Sequence, residues 1–165
     1  MAHIMQKHNK KILSTENKEK EKSCNCRNKA ECPVNNSCLT DGVIYKATVL
    51  DGNDVKAEYI GCTELEFKSR YNLHTYSFRD ENSKTATTLS SYVWRQKLTP
   101  KPPIKWNILK KCHKYSPGMS ICDTCLSEKC YIIKDMNNPK NLNKRTDIGN
   151  KCVQHRKKHK LKELL

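Results

Sequence analysis

Two short pairs of residues near the end of the sequence have the spacing of zinc ligands. Cys122 and Cys125 form a C-x2-C pair, and Cys152 and His155 form a C-x2-H pair. A spacer of two residues lets the backbone turn around one ion, so two such pairs supply the four ligands of a closed tetrahedral zinc site. This site would pin the C-terminal tail to the last helix. The alternative is that these side chains are unligated, because isolated C-x2-C matches often mislead.

A second group of cysteines lies near the start of the sequence, in a C-x-C-x5-C-x5-C pattern. Its members are Cys24, Cys26, Cys32 and Cys38. The segment around them has no apolar core of its own, so a bound metal ion would have to supply its folding free energy. We therefore predict a second zinc site. The alternatives are a pair of disulfides and a site in which His74 replaces one thiolate.

The remaining cysteines leave the ligand assignment partly open. Asp123, Cys130 or His159 could replace one ligand of the C-terminal site. Cys62, Cys112 and Cys130 are otherwise expected to be small buried apolar side chains. The sequence has ten cysteines and shows no secretory signal. This combination indicates a reducing compartment, where clustered cysteines bind metal more often than they form disulfides.

The charge of the chain favours a polyanionic partner. Lys and Arg total 32 against 17 Asp and Glu, a formal net charge of +15, and this excess creates a positive field. We predict a nucleic-acid partner, with a merely well-solvated surface as the alternative. No membrane partner is expected, because neither a long apolar run nor a basic amphipathic helix with a wide apolar face occurs.

The composition and the hydrophobic patterns divide the chain into four segments. Residues 1–22 read as an expression-tag remnant followed by a charged, disordered linker. Residues 23–40 are the cysteine-rich segment, residues 41–150 the folded core, and residues 151–165 a basic tail. Hydrophobic residues make up only 36% of the chain, below the usual share of about 45–50%. The core is therefore expected to be thin and to depend on the metal sites.

Within the folded core the patterns predict the element order β-β-α-α-β-α. Turn residues at 51–54 lie between two runs of strand formers, which predicts a hairpin. The predicted strands are 43–50, 57–62 and 104–108. Apolar residues at helical spacing predict the helices, although Lys129 interrupts the stripe of the last one. The predicted helices are 64–81, 87–98 and about 121–136. The fold class is therefore α+β.

Six polar residues on or after these elements are candidate catalytic residues. They are Tyr45, Tyr59, Arg70, His74, Glu128 and Asn143. Two phenols on paired antiparallel strands could project to the same side, and Arg70 and His74 share one helical face. Each residue alone also has a structural interpretation, since strand tyrosines commonly pack in half-buried positions and helical glutamates usually point to water.

The sequence resembles the GIY-YIG nuclease family in an ordered set of motifs. The set consists of Val43-Ile44-Tyr45, Tyr59-Ile60-Gly61, Phe67-Lys68-Ser69-Arg70 with His74, then Glu128 and Asn143. The flanking motifs C-N-C-R, S-F-R, C-x2-C-L-x-E-K, L-N-K-R and C-x2-H are more narrowly similar to the endonuclease domain of Penelope-like retroelements. The resemblance covers about residues 23–157. Val43 stands where the family name has its first glycine.

The resemblance implies a small three-stranded antiparallel sheet flanked by helices, with zinc-stapled extensions, that nicks one DNA strand. Glu128 would bind Mg²⁺ or Mn²⁺, and Arg70 would neutralise charge on the phosphate. Tyr45 would act on the attacking water, assisted by Tyr59 or His74, provided that Arg70 or a coupled base lowers its pKa. Asn143 would hold the glutamate or the backbone at the site.

The same resemblance implies a biological setting. The nick would give a 3′-hydroxyl primer to a reverse transcriptase domain of the same polyprotein, in target-primed reverse transcription inside the nucleus. The domain would act as a monomer or a transient dimer. Two other functions compete with this one. A non-catalytic zinc-dependent nucleic-acid-binding module would explain the charge and the cysteines equally well. A RING-like interaction domain fits less well, because its cross-brace cysteine spacing is missing.

Overall fold

Residues 23–98, 102–152, 154 and 156 are described by the computed structural model. The chain is α+β, with one antiparallel sheet and helices on both of its faces. The strands are β1 (Val43–Asp51), β2 (Asp54–Thr63) and β3 (Ile104–Lys111). The helices are α1 (Phe67–Ser77), α2 (Thr88–Arg95), α3 (Asp123–Lys134) and α4 (Arg145–Gly149). No helix in these ranges is long and apolar enough to cross a membrane.

The sheet has the strand order β2-β1-β3, so β1 is central. Gly52 takes a φ of +59° in the two-residue turn between β1 and β2, a conformation that glycine adopts without steric cost. The hairpin is confirmed, and its register pairs Tyr45 with Gly61. This register brings the two tyrosine motifs of the sequence together.

The central strand is buried on both faces, which explains why its sequence is a continuous apolar run. Tyr45 and Val49 pack on one face, in the larger core, together with residues of α1 and α2 such as Phe67 and Leu89. Ile44 points to the other face and packs against Ile132 of α3. The strand positions alternate between the two cores because successive side chains of a strand point to opposite faces.

Three helices were predicted, and each is shorter in the structure than its predicted range. The first begins at Phe67 instead of residue 64, because the amides of Phe67 and Lys68 donate to the carbonyls of Thr40 and Cys38. The second begins after Thr87, whose side chain accepts from the amide of Ser90 as a helix N-cap. These bonds satisfy first-turn amides that have no partner inside a helix.

Two features of the fold were not predicted. β3 continues to Lys111, three residues past the predicted end, because a register shift at Ile44/Tyr45 breaks the simple alternation of its side chains. The short helix α4 has five residues, too few for a periodic pattern.

Lys129 is 3% exposed and donates to the carbonyls of Ile148 and Asn150. The lysine that interrupts the apolar stripe of α3 therefore holds the C-terminal end of α4.

Candidate active site and metal centres

A buried hydrogen-bonded group joins β1 to α1. The hydroxyl of Tyr45 lies 2.8 Å from Nε2 of His74 and accepts from Nε of Arg70 at 3.0 Å. Arg70 and His74 are one turn apart on α1, as their sequence spacing predicts. Because a guanidinium only donates, the phenol is free to donate its own proton to Nε2 of His74. This arrangement corresponds to a neutral imidazole with its hydrogen on Nδ1.

Burial has the largest effect on the pKa values of Tyr45 and His74. It raises the pKa of Tyr45 well above its ordinary value, and the opposing effect of Arg70 is smaller. Burial and the charge of Arg70 lower the pKa of His74 to about 3. A general-base role for Tyr45 would require Arg70 or a coupled base to lower its pKa, and burial instead raises it. The desolvation of a fully buried phenol outweighs one neighbouring cation.

Gly61 leaves the space that the Tyr45 hydroxyl occupies. A Cβ atom at position 61 would lie 2.5 Å from the hydroxyl oxygen and 2.7 Å from the adjoining ring carbon. Distances this short require movement, and Tyr45 is 0% exposed and bonded to two partners. The glycine of the Y-I-G motif is thus required by close packing, since Gly61 does not have a positive φ.

Replacing Gly61 by alanine is expected to destabilise the protein by about 1–3 kcal/mol, the usual cost of overpacking a core. The displaced phenol would lose its bonds to Arg70 and His74. Urea unfolding measures the stability effect, and Gly149→Ala is the matched control because nothing lies within 4 Å of a Cβ atom there. Equal destabilisation by the two substitutions would contradict the packing argument.

The neutral state of His74 makes stability depend on pH. The unfolded histidine gains a proton below about pH 6.5, whereas the folded one does so only near its lowered pKa of about 3. The contribution of His74 to stability is thus complete above pH 6.5 and is lost as the pH falls towards 3. When the pH of the parent falls from 6 to 5, protonation of the unfolded histidine should lower the free energy of unfolding by about 1 kcal/mol. His74→Gln should abolish this decrease. His113→Gln, at an exposed histidine, is the control for the substitution itself, and equal slopes for the parent and His74→Gln would refute this account.

A cleft of about 570 Å³ opens beside the buried group. Tyr59 and Arg70 line it, together with Glu128 on α3 and Asn143 in the segment before α4. The fold therefore brings four of the six predicted site residues to one cleft, from segments far apart in the sequence. Tyr45 and His74 are buried, at 0% and 2% exposure, and Tyr45 accepts a hydrogen bond from Arg70, which lines the cleft.

Glu128 is the principal carboxylate of the cleft. Burial raises its pKa, and its hydrogen bond to the Cys62 thiol and the charge of Arg70 oppose that rise. The charge of Asp147, which also lines the cleft, raises the pKa of Glu128 further. Sequence reasoning missed Asp147 and treated Cys62 as a small apolar side chain. A partly desolvated carboxylate of this kind is a suitable ligand for a hard divalent cation.

Asn143 acts on the backbone of β2. Its side-chain oxygen accepts from the amide of Ile60 at 2.8 Å, and its nitrogen donates to the carbonyl of Ile60 at 2.9 Å. The neighbouring Leu142 amide donates to the carbonyl of Glu58. Of the two roles expected for Asn143, the structure contains the bond to the backbone. This pairing fixes the strand that carries Tyr59 and Gly61.

The N-terminal cysteines form one cluster. The sulfur atoms of Cys24, Cys26, Cys32 and Cys38 all lie within 4.8 Å of one another. The sulfur of Cys38 lies 3.6 Å from that of Cys24 and 3.6 Å from that of Cys26. Thiolates held about 2.3 Å from one zinc ion in a tetrahedron would be about 3.8 Å apart, so the cluster fits zinc. All four thiols are free, which argues against the disulfide alternative, and His74 is bonded to Tyr45 instead of the cluster.

The C-terminal cysteines form a second cluster, in which Cys122, Cys125 and Cys152 lie within 4.8 Å of one another. Asp123 does not replace a ligand, because it accepts from Lys110 and Ser127, and Cys130 is not part of the cluster. The predicted fourth ligand, His155, and the alternative His159 lie outside the described residues. Three buried thiols are able to supply three of the four ligands of a structural zinc site.

Both clusters are connected to the elements that carry the site. Cys38 and Thr40 cap α1, which carries Arg70 and His74. Cys122 is the N-cap residue of α3, and Cys125 lines the cleft one turn before Glu128.

A scan against protein-family models found no match, and searches of curated proteins and of solved structures found none either.

Proposed function

We propose that the chain is a GIY-YIG-type endonuclease domain, similar to that of Penelope-like retroelements, that nicks one DNA strand with Mg²⁺ or Mn²⁺. One observation carries this proposal. Arg70 and Glu128 line the same cleft, and Arg70 is hydrogen-bonded to the tyrosine of the V-I-Y motif. A cation and a carboxylate placed together in a basic chain suit a phosphodiester substrate and a divalent metal ion.

Each residue of the cleft then has a defined task. A metal ion held by Glu128 would polarise the scissile phosphate and lower the pKa of bound water. Arg70 would neutralise charge on the phosphoryl oxygens, and its bond to Tyr45 would fix the position of its guanidinium. Tyr45 and His74 are therefore assigned as positioning residues, since neither lines the cleft.

Tyr59 is the phenol that faces the substrate in this proposal. It lines the cleft, and its ring centroid lies 6.0 Å from that of His74. Burial raises the pKa of Tyr59 to about 12, and the neighbouring Arg70 opposes that rise. At neutral pH the phenol is protonated, so it would orient the attacking water by hydrogen bonding instead of removing its proton.

The resemblance to the endonuclease domain of Penelope-like retroelements also suggests a biological role, the priming of reverse transcription. One metal ion and one such surface would cut one strand at a time, and the nick would supply a 3′-hydroxyl primer for a reverse transcriptase domain in the same polyprotein. The formal charge of +15 supports a nucleic-acid partner. It supports a non-catalytic zinc-dependent binding module equally well, and this is the second candidate function.

Incubation with supercoiled plasmid in Mg²⁺ or Mn²⁺ tests the nuclease proposal. We expect open circles before linear DNA, no products without the divalent ion, and nicks that a DNA polymerase extends without further treatment. Protein with full zinc content that binds the plasmid but never nicks it would overturn the nuclease and favour the binding module. Nicks that require phosphate removal before extension would overturn the priming role alone.

A further inference from the structure

The α2 side of the cleft carries no carboxylate, whereas the side formed by α3 and α4 carries two carboxylates together with three lysines. Thr88, Ser91 and Arg95 of α2 line the cleft and follow one another at i, i+3 and i+7, which places them on one face of the helix. The opposite face of α2 carries Leu89 and Val93, both 0% exposed in the larger core. The helix therefore presents a polar stripe, ending in an arginine, to the cleft.

All carboxylates that line the cleft come from the other side. Glu128 belongs to α3 and Asp147 to α4, whereas the lining residues from Thr85 to Arg95 include none. Arg95 is exposed, and within the described residues it forms no ion pair. Its guanidinium is therefore not neutralised by a neighbour and can bind an anionic ligand in the cleft.

We propose that Arg95 binds the phosphodiester backbone of the strand in the cleft, at a phosphate other than the one that Arg70 contacts. This inference rests on the proposed function, because it takes the ligand of the cleft to be a DNA strand. A strand whose scissile phosphate lies between Arg70 and Glu128 continues along the cleft, and the α2 side offers it a cation and hydroxyls without a repelling carboxylate. Arg95 is a positioning residue that carries no base specificity.

The test measures how DNA binding depends on salt, with Glu128→Gln present in every protein so that the DNA stays intact. Arg95→Gln should weaken binding at low salt about tenfold, the equivalent of one charge-assisted hydrogen bond. It should reduce the slope of log affinity against log salt by about 0.9, the value for one phosphate contact. Arg95→Lys should restore the slope, which a purely structural role would not predict.

The matched control is Arg79→Gln, because Arg79 is also exposed but lines a separate pocket with Tyr71 and Trp106. Its salt slope should equal that of the parent. An unchanged slope for Arg95→Gln, or an equal reduction by Arg79→Gln, overturns the assignment of Arg95. The nuclease proposal is judged separately, by nicking with Glu128 intact. Arg95→Gln could reduce the salt slope even if the protein with Glu128 intact never nicks DNA. That combination would support the contact between Arg95 and the DNA backbone and would refute the nuclease proposal.

Discussion

Replacing Glu128 by glutamine is expected to lower the rate of plasmid nicking by about 10³-fold or more and to leave DNA binding unchanged. The amide cannot supply the negative charge that holds a divalent cation, and a catalytic metal ion contributes several kcal/mol to transition-state stabilisation. A loss of about 4 kcal/mol corresponds to three orders of magnitude in rate. The measurement is the initial rate of open-circle formation at saturating Mg²⁺ and matched zinc content.

The same substitution should not destabilise the fold, which makes the test discriminating. Burial raises the pKa of Glu128, so the ionised carboxylate is disfavoured in the folded state at neutral pH and its neutral isostere should be at least as stable. Glu66→Gln, at an exposed carboxylate outside the cleft, is the control and should nick at the parental rate. Parental nicking by Glu128→Gln would remove Glu128 from the active site.

Removing the N-terminal metal site is expected to have the largest effect on stability. Cys38 is 0% exposed and belongs to the larger core, and Cys38→Ser would remove one of the four thiolates of the cluster. Zinc binding contributes about 10–16 kcal/mol to the folding of small zinc domains. We expect the variant to lose one zinc ion per chain and its cooperative thermal unfolding to shift by more than 10 °C, or to disappear.

Native mass spectrometry and thermal unfolding in zinc-containing buffer make both measurements on the same sample. Cys130→Ser is the control, because Cys130 lies outside both clusters, and it should retain the parental zinc content. Cys38→Ser should also lose nicking, since the carbonyls of Cys38 and Thr40 cap the helix that carries Arg70 and His74. Unchanged zinc content and melting temperature in Cys38→Ser would show that the cluster holds no structural ion.

The sequence predicted the parts of the fold that depend on local patterns. The run from Val43 to Leu50 and the Gly52 turn define the hairpin, and the spacing of Arg70 and His74 places both side chains on one face of α1. The cysteine spacing predicted the N-terminal cluster, because short spacers bring thiols together whatever the rest of the fold. These features depend on neighbours in the sequence, and the structure contains them all.

The features that the sequence did not predict depend on contacts between distant segments. The hydrogen bond from Cys62 to Glu128 joins β2 to α3, and no local pattern relates the two residues. Lys129 looked like an error in an apolar stripe, yet its ammonium group donates to two carbonyls at the C-terminal end of α4. The raised pKa of Tyr45 was also not predicted, since the sequence shows a nearby arginine but not the extent of burial.

The bonds of Asn143 have a consequence for the time at which the cleft first exists during synthesis. They join residues 83 positions apart, and contacts of such separation form only after the intervening chain has emerged. A nascent chain that ends before Asn143 can pair β1 with β2, but it lacks the residue that fixes the outer edge of β2. We therefore expect a ribosome-bound or truncated fragment to contain Tyr59, Arg70 and even Glu128 without an assembled cleft. A chain that extends past Asn143 would be the first form in which the cleft can assemble.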